Sequence, residues 1–167
     1  IAETEAQLRR LQDPASANRG AALPKLGEEF GTFGATAPIG QKIATGDYAG
    51  AGQALRDFAN GLPNLDPASQ AAIAQKLREA AASQAATDPK LAQQLRDAAA
   101  AIDRGDIAGA QAALNGAADQ IAQTGAAIAT QNTLSGVLGD LGAIKRDVAK
   151  LERDACAPVL VPPSHRA

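Results

Sequence analysis

The side chains that could carry out chemistry are few and poorly placed for it. The single histidine, His165, lies two residues from the end of the Pro-rich stretch "APVLVPPSHRA", where nothing would hold an imidazole as a base or a metal ligand. The single cysteine, Cys156, has no companion for an internal disulfide, a CxxC pair or zinc spacing. It reads as an isolated thiol, or as the point of an intermolecular disulfide or anchor. Glu28 and Glu29 are adjacent, so on a helix their carboxylates diverge instead of forming an acid–base pair. Asp147, Glu152 and Asp154 alternate with Lys145, Arg146, Lys150 and Arg153, the pattern of a solvated face with weak ion pairs. The glycines of "GDYAGAG" (46–52) and "GDIAGA" (105–110) lack the Lys, the flanking strand and the spacing of a phosphate loop. Gly50, Gly52 and Gly109 read better as places where helices cross closely. No catalytic, metal or cofactor site is expected, and the chain reads as non-enzymatic.

Charge and composition narrow the partners further. Net charge is −2 and there is no basic block beyond Arg9-Arg10, so a nucleic-acid footprint is not expected. No run of about 18 apolar residues would span a bilayer. Membrane attachment would therefore come through sequence outside this chain, an idea that Ile1 in place of Met invites. The 167 residues suit one domain. Its core must be unusual, because 42 residues are alanine while aromatics make up 2%. Alanine favours helix at no side-chain entropy cost, buries little area, and lets helices approach closely.

The elements that follow are helices with clear punctuation. Asp47, Asp66, Asp88 and Asp106 are suited to N-capping. Pro67 and Pro89 follow two of them at the favoured first helical position, and Gly46 and Gly105 precede the others as natural helix stops. Between these marks Tyr48, Ala51, Leu55, Phe58 and Leu62 share a face, as do Leu91, Leu95, Ala98 and Ile102. "AQKLREAA" (74–81) is echoed by "AQQLRDAA" (92–99), suiting two short helices joined by a "DP" turn. Ile107, Leu114, Ile121 and Ile128 recur every seven residues. Leu134, Leu138 (or Val137), Leu141, Ile144, Val148 and Leu151 form three further heptads. The expected fold is an all-α, Ala-rich antiparallel bundle or short helical-repeat array, ending in a long helical hairpin that turns near Thr130–Thr133. Residues 1–45 read as an irregular helical and loop segment, 46–155 as the bundle with its quasi-repeat (46–62 and 105–121), and 156–167 as an extended tail.

The repeated phrase resembles a known motif. "GDYAGA" followed by "AL" and "LDP" resembles the second helix of a tetratricopeptide repeat, with Gly46, Asp47, Tyr48 and Ala51 matching, and Gly105, Asp106 and Ala110 in the second copy. The copies stand 59 residues apart instead of about 34. That likeness implies a peptide-binding adaptor, for which Asn60, Asn64 and Asn115 are the displayed candidates. "DRGDIAGAQAALNGAADQIA" (103–122) and "DPKLAQQLRDAAAAI" (88–102) resemble the Ala- and Gln-rich helical regions of membrane-anchored envelope proteins of high-GC bacteria. This implies an extracytoplasmic place more than an activity. The preferred reading is a structural or protein–protein interaction module; the alternatives are the adaptor and a ligand-binding bundle. Its contact surface, for a protein partner or a second copy, is the stripe Leu134, Leu138, Leu141, Ile144, Val148 and Leu151. Should that stripe pack against residues 107–130 of the same chain, the candidate surface moves to Phe30, Phe33 and Ile39. Those two phenylalanines also read as plugs for the end of the bundle.

Overall fold

The computed structural model describes residues 2–12 and 14–155; Asp13, Cys156, His165 and the whole stretch 156–167 lie outside them. The described residues contain helices and no strand, as the composition requires. In chain order these are α1 (Ala2–Leu11), α2 (Pro14–Gly31), α3 (Ala37–Ala44), α4 (Tyr48–Gly61), α5 (Pro67–Gln84), α6 (Pro89–Asp103) and α7 (Ile107–Ala155), with a 3-10 turn at Leu62–Asn64 after α4.

The duplicated "GD" is a joint that ends one helix and starts the next. Gly46 and Gly105 are the glycines with positive φ, at 76° and 69°, a conformation that costs glycine no Cβ clash. The Gly46 N–H donates to Ile43 O and the Asp47 N–H to Lys42 O; Gly105 and Asp106 repeat this onto Ile102 O and Ala101 O. This paired closure satisfies carbonyls that a helix end leaves open. Each aspartate then caps the following helix: Asp47 Oδ1 accepts from the Gly50 N–H and Asp106 Oδ1 from the Gly109 N–H, both at 2.9 Å. A Cβ on Gly50 or Gly109 would collide with that capping carboxylate. These two glycines therefore serve the cap, which corrects their reading as helix crossings. Gly52 does mark a crossing, since its Cβ would lie 2.9 Å from Ala118 O of α7. The residue after each joint motif, Ala51 or Ala110, is fully buried.

Asp66 and Asp88 cap α5 and α6 in the same way, accepting from the Ser69 and Leu91 N–H groups. The Lys42 ammonium, then the Gly50 N–H, holds the Asp47 carboxyl below the usual carboxylate range. The Ser69 hydroxyl and N–H do so for Asp66. A carboxylate whose value is depressed on folding contributes stability above its unfolded value and loses it as pH falls through the folded one. The stability these two caps contribute should therefore be lost below about pH 4, as a fall in melting temperature. Asp47→Asn with Asp66→Asn, which keep capping oxygens but do not titrate, should flatten part of that slope; an unchanged slope would remove these caps from the acid response.

Residues 14–44 are more regular than the sequence suggests. α2 runs unbroken through Pro24, whose exposed ring stands opposite Gly20, four residues earlier. Leu23, Leu26 and Phe30 of the same helix are buried to 1% exposure or less. Their burial outweighs the hydrogen bond that proline removes. α2 packs closely on α3: a Cβ on Gly40 would stand 2.5 Å from Gly27 O and Gly31 N. Thr36, buried between the two helices, donates its hydroxyl to Phe30 O at 2.7 Å.

The echoed phrases are the neighbouring helices α5 and α6, and they bury equivalent residues: Ala74 and Ala92, Leu77 and Leu95, Ala81 and Ala99. Among the described residues alanine supplies 12 of the 26 buried apolar ones, which lets the backbones approach closely. Surface pairs Arg56–Asp119 and Arg78–Asp103 tie α4 to α7 and α5 to α6.

The expected C-terminal hairpin does not form. α7 is one helix of 49 residues. Residues 130–133, "TQNT", contain neither the glycine nor the Asp-Pro that makes the other turns. Thr130 instead donates its hydroxyl one turn back to Ala126 O at 3.0 Å. The stripes 107–128 and 134–151 therefore lie on one helix and do not pack against each other. By its contacts the chain falls into two compact units. One is Asp13–Gln131; the other joins the N-terminal residues up to Gln12 to the described residues from Asn132 onward.

Candidate functional site

Every buried apolar residue of the core belongs to the unit Asp13–Gln131. The described residues of the other unit form two helices, α1 and the second half of α7. They run antiparallel: Gln12 Nε2 donates to Ser135 Oγ at 3.4 Å, and seven residues earlier Glu5 pairs with Lys145 at 3.5 Å. Along α1, Glu5, Leu8 and Gln12 are half-buried, a helical spacing that makes one contact face. Along α7, Leu134, Leu138, Leu141 and Gly142 are half-buried.

The remaining apolar residues of the heptads are uncovered. Val137 is 42% exposed, Ile144 50%, Val148 42% and Leu151 67%. With Leu11 at 65% they are all the exposed large aliphatics among the described residues. Scattered exposed leucines need no explanation, but such residues gathered along one helix mark a contact surface. Of the six stripe residues read from the sequence, three lie partly covered beside α1 and three stand open to solvent. Val137 belongs with the open set, and Leu11 joins from α1. Leu11 escapes the sequence pattern because α1 is short and offers only Leu8 to set a face.

The second candidate surface is not a surface. Phe30 and Ile39 are each 1% exposed and Phe33 packs against the core, so the packing reading of the phenylalanines replaces the docking one. Their large side chains fill the space where α2 and α3 meet.

The polar groups that are buried hold helices together. Asp88, 4% exposed, caps α6 with Oδ1 and accepts from Gln120 Nε2 of α7 with Oδ2 at 3.1 Å. Gln84 donates to Ala22 O at 3.1 Å, and Gln111 to Ala59 O at 3.0 Å, each reaching a backbone carbonyl on a neighbouring helix. Glu29 accepts from Ser83 Oγ at 2.9 Å while Glu28 is exposed, so the two carboxylates diverge as the spacing implies. A shallow cleft of about 280 Å³ lies beside Tyr48, whose side chain rests on Gly125 of α7. Asn60 and Asn64 are exposed and Asn115 is half-buried. Among the described residues no three of His, Cys, Asp and Glu gather as a metal site, and no helix is long and apolar enough to cross a membrane.

No protein-family model matches the chain, and searches of curated proteins and of solved structures likewise find no match.

Proposed function

We propose that this chain is a non-enzymatic helical module that works by protein contact, through the open stripe Val137, Ile144, Val148 and Leu151 with Leu11 beside it. One observation carries the reading: every large aliphatic exposed among the described residues falls in the two-helix unit, while those of the alanine-rich unit are buried or half-buried against its core. Burying such side chains is worth about 1.5–3 kcal/mol each when complete, enough for a few of them to anchor a partner. The charged residues of α7 lie mainly after Asp140 and around the stripe, as the polar rim of a contact surface does. A place in an envelope or membrane-associated assembly is part of the proposal, and it rests on the Ala- and Gln-rich phrases of 88–122 alone.

Photo-crosslinking in the cells that make the protein tests this. A photoreactive side chain at position 148 should give a protein adduct of defined mass, with a second copy or with another protein. The same group at exposed Lys90, on α6, should give none. Equal yields from both positions, or no adduct from position 148, would reject the contact surface.

A further inference from the structure

We infer that the partner is a second copy of this chain, and that two α1–α7 pairs close face to face into a four-helix bundle. The inference rests on the contact-surface reading above and adds the identity of what covers it.

Its first support is the incompleteness of the two-helix unit. None of its described side chains is fully buried; Leu8, Leu134, Leu138 and Leu141 are only half covered. Two helices form a single layer, which shields one face of each and leaves a second face wet. A helical domain encloses a core only when another layer covers that face, and a second pair of helices does so in the four-helix arrangement. An identical copy supplies a layer of matching length.

The second support is spacing. Leu134, Val137, Leu141, Ile144, Val148 and Leu151 alternate at intervals of three and four, placing Leu, Leu and Val at one core position of the heptad and Val, Ile and Leu at the other. α1 lies over the side bearing Leu134 and Leu138. Antiparallel pairing, with about 100° between successive residues, then puts Leu11 on the same side as Val137. Leu11 and Val137 thus extend the face at one end, while Ile144, Val148 and Leu151 continue it to the other.

Area and charge agree with this occupant. The five exposed side chains offer on the order of 100 Å² each, so covering them fully in two copies removes about 1,000 Å², the lower bound for a specific interface. The face has no charge at its centre: Lys145 is turned to Glu5, and helical spacing sets Asp140 and Asp147 on the outer edge. In a two-fold interface residue i meets j and j meets i, and residues on the axis meet their own copies, so an uncharged centre suits self-pairing.

The test is the molar mass of the full chain by light scattering on a sizing column, across about two decades of concentration, with Ile144→Asp/Val148→Asp run beside it. The expected result is twice the chain mass, halved in the variant while far-ultraviolet circular dichroism keeps its helical signal. Should the variant lose helicity, a nitroxide at V148C in a C156S background decides. Its spectrum should broaden by contact between copies, and a nitroxide at K90C should stay sharp. A monomer at every concentration overturns self-pairing, as does a dimer that the variant and the labels leave untouched. A full-length monomer that dimerises only when cut after Ala155 overturns it too, by showing that residues 156–167 cover the face. If the full chain is monomeric yet position 148 still crosslinks to a different protein in cells, self-pairing fails and the contact-surface reading stands. If both results are negative, both fail.

Discussion

Gly40→Ala should lower the free energy of unfolding by about 3 kcal/mol, at the upper end of what one added methyl costs a packed interior. The added Cβ would stand 2.5 Å from Gly27 O and Gly31 N. Backbone atoms cannot rotate away as a side chain can, so α3 would have to move off α2. Leu26 and Phe30 of α2 and Ile39 and Ile43 of α3, all nearly fully buried, would lose packing. The matching control is Gly136→Ala. That glycine lies in α7 with nothing within 4 Å of its Cβ position, so alanine should raise stability by about 0.5–1 kcal/mol through helix propensity alone. Urea unfolding followed by circular dichroism measures both. Equal effects at the two sites would mean that α2 and α3 do not cross as closely as described.

Asp88→Ala should cost about 3 kcal/mol, the sum of a lost helix cap (about 1) and an unpaired buried amide on Gln120 (about 1–3). Asp66→Ala removes a similar cap from an exposed site, and should cost only about 1 kcal/mol. Asp88→Asn keeps an oxygen for the Leu91 N–H, and Gln120 can turn its amide to present its own oxygen, so its cost should stay below about 1 kcal/mol. If Asp88→Ala and Asp66→Ala proved equal in urea unfolding, the contact from α6 to α7 would carry no stability. The pair matters because α7 reaches the start of α6 here through buried polar groups on both sides.

Much of the local structure was legible in the residues themselves. Asp47, Asp66, Asp88 and Asp106 announce four helix starts, because a capping carboxylate needs only the N–H groups within the next turn. Gly46 and Gly105 announce stops, because the left-handed backbone they adopt is closed to most other residues. The echo at 74–81 and 92–99 announced two helices burying equivalent Ala and Leu positions. All of these are interactions within a few residues of chain, which sequence states directly.

Where the reading departed from the structure, the deciding contacts were distant in sequence. Pro24 argues locally against a helix, yet Leu23, Leu26 and Phe30 gain enough by packing that α2 continues past it. Phe30 and Ile39 looked available as a surface because nothing in their own segment shows that α2 and α3 fold together over them. The heptads at 107–128 and 134–151 suggested two helices facing each other; "TQNT" has no residue that stops a helix, so they stay on one. The stripe itself could be found by counting sevens, but whether it was covered could not. Periodicity says which residues share a face. What lies against that face depends on where chain from elsewhere arrives, and only the tertiary structure shows that α1 shields Leu134, Leu138 and Leu141 in part while Val137, Ile144, Val148 and Leu151 are left to water.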